Sequence, residues 1–115
     1  MIVDHRTYTC HPGKLNDFLA IYQEKGLPVQ LRTLERMVGW YTSMDIGPLN
    51  QVVHMWAFDD LADRAARRAK MGADPEWAVY LKAATPLLIN MENKILSATS
   101  FFDLDKLSEN APYSK

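Results

Sequence analysis

The sequence predicts an α+β fold with the element order β-α-β-β-α-β, and three observations predict it. Residues 39–46 and 51–58 alternate in side-chain character around the turn Gly47-Pro48-Leu49-Asn50, as the two arms of a hairpin do. Leu15, Phe18, Leu19 and Tyr22 recur at the i, i+3, i+4, i+7 spacing of one helix face. Residues 51–58 run straight into DDLADRAARRAKMG, where Asp59 or Asp60 can cap a helix and Gly72 can end it.

In chain order, residues 2–11 are rich in Thr and Tyr and stop at His11-Pro12-Gly13, which suits a strand. One side of it carries Ile2, Asp4, Arg6, Tyr8 and Cys10, the other Val3, His5, Thr7 and Thr9. The helix that follows is interrupted by Gly26 and Pro28 and resumes with Leu31 and Leu34, which predicts a broken or kinked helix over 12–37. Strands over 39–46 and 51–58 come next, with Trp40 expected in the core. In the helix after them Leu61, Ala62, Ala65, Ala66 and Ala69 form a narrow apolar stripe expected to pack close against a neighbour. Asp74-Pro75 opens a short helix closed before Pro86, with Trp77, Tyr80 and Leu81 expected inward and Trp77 in a minor interface. The last strand is expected over 95–102, its start open as far back as Met91. The domain is thus 1–102, and 103–115 is a polar tail bearing Leu104, Leu107 and Tyr113 that could wrap a surface or a partner.

Composition limits function. The chain has 115 residues, 48% of them hydrophobic, and a net charge of −1. That is one ordered domain without the positive field that nucleic acid or an anionic membrane rewards. Cys10 is the single cysteine, which suits a reducing compartment. MIVDHRTYTC has no apolar signal region, and no apolar run reaches the ~20 residues of a membrane helix. A cytoplasmic protein is the expectation.

The element order is that of the ferredoxin-like plan, in which two helices cover one face of a four-stranded antiparallel sheet. The other face is bare, and three covers are reasonable. RNA could stack on Tyr8 and Trp56 or Phe58, but the charge is wrong and no ribonucleoprotein signature exists. Two chains could instead press their bare faces together and enclose a semi-polar pocket lined by Arg6, Tyr8, His54, Trp56, Phe58, Tyr41 and Ser43. In the third case the same dimer has a closed interior and is an interaction or structural module.

The catalytic candidates are Arg6 and His54. Arg6 could hold a carboxylate or enolate oxygen, or simply pair with Asp4 two residues away. His54 could shuttle a proton, or be a hydrogen-bonded interior histidine. Asp4, Tyr8, Tyr41, Trp56 and Phe58 are the ligand-binding candidates, the aromatics as ring platforms or as plain volume. His5 and His11 lie on another strand from His54, which leaves no metal-ligand spacing, and no cofactor is expected. Arg64, Arg67 and Arg68, with Asp60 and Asp63 beside them, suit a solvated salt-bridged helix face. No phosphate-loop, dinucleotide, nucleophile-elbow or metalloprotease motif occurs.

DHRTYTCHPGK at 4–14, the strand entry at Gly39, NQVVHMW at 50–56, DDLADR at 59–64 and ENKILSATSF at 92–101 together resemble the NIPSNAP family over nearly the whole chain. The family is similar to other dimeric α+β barrels, a group with cofactor-independent monooxygenases and haem-binding enzymes. The resemblance therefore implies a homodimer whose sheets pair into a barrel. Asp4 stands where the family often has Glu, and His5 where it tends to have Leu. The functional expectation is a homodimer binding a small aromatic or carboxylate-bearing compound, with oxidation or isomerisation as the chemistry if it is an enzyme. The alternative is a non-catalytic module with a closed dimer interior.

Overall fold

The computed structural model describes residues 1–106. Its centre is β1 (Ile2–Cys10), which pairs antiparallel with β3 (Gln51–Phe58) on one side and β4 (Leu88–Ser97) on the other. β2 (Met37–Thr42) completes the sheet in the order β2-β3-β1-β4, the ferredoxin-like order expected from the sequence. β1 aligns Asp4 with Trp56 and Ile95, Arg6 with His54 and Asn93, and Tyr8 with Val52 and Met91. Directly opposed residues share a face. Three rows of functional side chains therefore cross the sheet side by side.

The helices lie on one face. α1 (Leu15–Ile21), a π-helical turn (Tyr22–Gly26) and α2 (Leu27–Thr33) run on without a break, since Ile21, Tyr22, Gly26 and Leu27 all keep right-handed helical angles. The expected break at Gly26 and Pro28 is thus a one-turn widening of the helix, with Pro28 in the first turn of α2, where its missing N–H is tolerated. α3 (Leu61–Gly72) is capped by Asp60, whose side chain accepts from the Asp63 amide, and α4 (Pro75–Ala84) by Asp74, which accepts from the Glu76 amide. Both caps fall where the sequence puts them.

The face beneath the helices is the opposite of the one expected. Phe18, Tyr22, Tyr80 and Ala84 bury Cys10 and Val52, while Val29, Leu34 and Met71 bury Trp56 and Phe58. Asp4, Arg6, Tyr8, His54, Trp56 and Phe58 therefore lie under the helices and do not line the bare face. Strand alternation sorts residues into two sets but does not say which set is covered. Here the bulk of Trp56 and Phe58 decides it. His5, Thr7, Val53 and Met55 are left on the bare face, together with Tyr41, which pairs with Val53.

Four further readings change. β2 ends at Thr42, and residues 43–50 form an irregular loop with Met44 and Ile46 78% and 88% exposed. The Ser43 hydroxyl accepts from the Gln51 amide at the base of that loop, so it lines no interior. β4 begins at Leu88, seven residues before the expected 95, because its polar centre Glu92-Asn93-Lys94 is tolerated on an edge strand. On α3 the alanines at 62, 65, 66 and 69 face solvent, and Arg64 reaches the sheet at Asp4. Trp77 packs on both core clusters and is no minor contact. Of the tail, Leu104–Lys106 forms a short 3-10 turn, and Leu107 and Tyr113 lie outside the described residues.

Candidate functional site

Period-two alternation on β3 points His54 and Trp56 into the same layer, and a hydrogen bond joins them. Trp56 Nε1–H donates to His54 Nδ1 at 3.0 Å. An indole nitrogen can only donate, so Nδ1 is unprotonated and the neutral ring carries its proton on Nε2. Trp40 stacks on the imidazole, with centroids 4.3 Å apart and planes 14° apart, and Tyr8 meets its edge at 5.0 Å. Burial, helped by the Arg6 charge, pushes the His54 pKa down to about 3. The ring is therefore neutral at ordinary pH and better suited to donating from Nε2–H than to accepting a proton. Nε2 has no partner, and it is the one such buried side-chain nitrogen or oxygen among the described residues.

His54 lines a largely enclosed cavity of about 60 Å³ between sheet and helices. Its floor is His54, Tyr22, Gln30, Tyr80 and Ala84, all buried, and its exposed lining residues Leu81, Thr85 and Met91 mark a mouth between α4 and β4. The π turn shapes the floor. Tyr22 Oη donates to Gln30 Oε1 at 2.5 Å and accepts from Trp40 Nε1 at 3.2 Å. Burial pushes the Tyr22 and Tyr80 hydroxyls well above the usual phenol range. Gly26 is needed here, because a Cβ on it would stand 2.8 Å from ring atoms of both Tyr22 and Tyr80.

Beside the cavity, Asp4 is a buried carboxylate held by three donors. Its Oδ2 accepts from Arg6 Nη1 and Arg64 Nε, each at 3.0 Å, and its Oδ1 from Asn93 Nδ2 at 3.3 Å. Burial alone would raise its pKa, but Arg6 and Arg64 outweigh this and hold it below the usual carboxylate value. Arg6 Nε also donates to Tyr8 Oη at 2.9 Å, which ties the ion-pair group to the cavity wall.

Asp4, Arg6, Tyr8, His54 and Trp56 are therefore brought together. Phe58 is not among them, lying in the core with Val29, Leu34 and Met71. Tyr41 is on the other side of the sheet, 58% exposed and folded over Gly39. Sequence reasoning missed Tyr22, Gln30, Trp40 and Tyr80, as well as Arg64 and Asn93. One signal was present: Gln30 falls in the apolar phase of its helix, eleven residues after Leu19.

These features define a ferredoxin-like α+β domain with a polar-aromatic cavity beneath its helices. Comparison with known proteins narrows the class. The NIPSNAP family model matches residues 3–102, and the chain belongs to the NIPSNAP family. Mouse NipSnap homolog 3B is 37% identical over 75 residues, covering 64% of this chain and 29% of that protein. The chain spans less than half the length of the curated relatives it matches. A NIPSNAP domain protein from Burkholderia xenovorans superposes with a TM-score of 0.84 at 39% identity, over 90% of this chain and 99% of that one. An antibiotic biosynthesis monooxygenase superposes with a TM-score of 0.60 at 13% identity, over 86% of this chain and 99% of that one, a likeness of fold alone.

Proposed function

We propose that this NIPSNAP domain binds a small organic molecule in the cavity between its sheet and helices, with His54 Nε2–H donating to an acceptor oxygen of that molecule. The observation that carries this reading is the unpartnered Nε2 itself. A buried donor left without an acceptor costs roughly 1–3 kcal/mol, so a site that retains one is set to receive an acceptor. A neutral imidazole donor suits a carbonyl or enolate oxygen, which favours carbonyl polarisation as the chemistry if a reaction follows. The cavity of about 60 Å³ limits what enters. It is well below the roughly 150 Å³ that accepts benzene, so the oxygen-bearing end of a ligand fits while a whole ring stays at the mouth. That small volume is also what favours the second reading, a non-catalytic module.

The test is imidazole nitrogen NMR on the wild type and His54→Phe with a set of small ketones, esters and amides. Saturable shifts of the His54 Nε2–H resonance support binding. A resonance that no compound moves favours the non-catalytic module.

We also propose that a second copy of the chain covers the bare face. β4 is an edge strand, and on the bare face its Leu96 is 41% exposed, as Tyr41 of β2 is at 58%. Such an edge is a pairing liability in a lone chain. Sedimentation at low micromolar concentration gives a dimer on this reading, and a clean monomer rejects it.

A further inference from the structure

Arg68 stands one helical turn after Arg64 on the inward side of α3, and i, i+4 side chains on a helix are neighbours. Its surroundings are unusual. Arg6 and Arg64 both bond the single carboxylate Asp4, and their side chains are only 16% and 23% exposed. Arg68 is half-buried beside them, and among the described residues it has no ion pair or hydrogen bond. Its neighbour Arg67 differs in this respect, being paired with Asp63 and Glu35. The Asp4 group therefore gathers three guanidinium charges around one carboxylate. Burial and the Arg6 and Arg64 charges press the Arg68 pKa below its ordinary value, which is the mark of a cation short of an anion.

A guanidinium offers five N–H donors in a planar fork that matches carboxylate and phosphate oxygens. Arg6 uses Nε on Tyr8 and Nη1 on Asp4, and Arg64 uses Nε on Asp4, so among the described residues Arg6 Nη2 and both Nη atoms of Arg64 keep donors free. Among the described residues no helix covers β4 at Met91 and Asn93. Its Asn93 and Met91, opposite Arg6 and Tyr8, are both exposed, and Met91 lines the mouth of the His54 cavity.

We propose that Arg68, with the free donors of Arg6 and Arg64, forms a subsite for an oxyanionic group, a carboxylate or a phosphate, of the ligand whose other end enters the His54 cavity. The second half of this rests on the cavity reading above; the anion subsite does not. The charge excess sets the preference, since a dianion neutralises it and a single carboxylate leaves part of it. The ligand class that follows is a small oxo-acid or a carbonyl compound bearing a phosphate.

The experiment is titration of the full chain with inorganic phosphate, acetate and neutral acetamide, followed by calorimetry and by the Arg Nε and His54 imidazole resonances. It is run on wild type, Arg68→Gln and Arg67→Gln. Because Arg68 has no partner to orphan, its substitution is expected to leave the fold intact, with a melting temperature equal to or above wild type. The expected result is saturable phosphate or acetate binding that falls about tenfold or more in Arg68→Gln and is unchanged in Arg67→Gln. The tighter of the two anions identifies the headgroup. Absence of saturable anion binding, or equal affinity in Arg68→Gln, overturns the subsite. If acetamide moves the His54 resonance while anion binding ignores Arg68, the cavity reading stands and the subsite falls. If anions bind through Arg68 while no neutral compound touches His54, the subsite stands and the cavity reading falls.

Discussion

Trp56 holds His54 in one tautomer: the indole N–H of one donates to Nδ1 of the other from two residues along the same strand. The bond costs no loop and no long-range contact, because alternation already sets the two side chains on one face. Its effect is felt at the far side of the ring, where the proton on Nε2 is left facing polar-aromatic surroundings without an acceptor.

Replacing Trp56 with Phe removes that donor and leaves Nδ1 bare. We expect a loss of about 3 kcal/mol from the smaller side chain and the unsatisfied nitrogen together. The imidazole nitrogen shifts should also change from a pure Nε2–H pattern to a mixture. Unchanged shifts would show that Trp56 does not set the tautomer.

His54 also gives stability a pH dependence of known sign. Its ordinary value is 6.5 and its folded value about 3. As pH falls, the unfolded chain takes up the proton near 6.5 and the folded chain only near 3. The stability tied to the neutral ring is therefore complete above 6.5 and declines through that window by up to about 1.4 kcal/mol per pH unit. Asp4, lowered from 3.8, adds its loss only below that value. Urea midpoints measured from about pH 7.5 to about 4.5 should slope more steeply for wild type than for His54→Phe. Parallel curves would refute the assignment.

Asp4 holds Arg6 and Arg64 in place, so Asp4→Asn leaves two part-buried guanidiniums facing each other. A loss of about 3 kcal/mol is expected by urea denaturation, the usual scale for breaking a buried pair from one side. A change below about 0.5 kcal/mol would mean that the group is solvated like an ordinary surface pair.

Gly26→Ala tests the π turn. Alanine gains about 1 kcal/mol of helix propensity over glycine, but its Cβ would press on Tyr22 and Tyr80 at 2.8 Å. Overpacking of that kind costs about 1–3 kcal/mol. We expect a net loss of stability and an altered near-ultraviolet tyrosine signal. A stabilised variant with an unchanged signal would show that the rings move aside freely.

The sequence carried the element order, both helix caps and the closeness of Asp4 to Arg6, because each depends on local spacing. It carried the two faces of β3 as sets but not their sides, since Val53, Met55 and Ala57 look as buriable as His54, Trp56 and Phe58. The π turn was hidden because Gly26 and Pro28 are the residues that usually end a helix. Local spacing reads Arg64 and Arg68 as a solvated face, because Asp4, the partner of Arg64, lies sixty residues away. No local rule pairs residues at that distance.

One strand of the site has a freedom that the others lack. Met91 and Ile95 sit on the helix side of β4 yet are open to solvent. Exchanges at exposed positions such as these change stability by little, typically within about 0.5 kcal/mol. The wall beside Tyr8 can thus be rewritten at Met91 without disturbing the core, while Asn93 keeps its bond to Asp4 and His54 and Trp56 stay fixed by packing. Among descendants of one ancestral domain, selectivity can then diverge at these positions while the architecture stays constant.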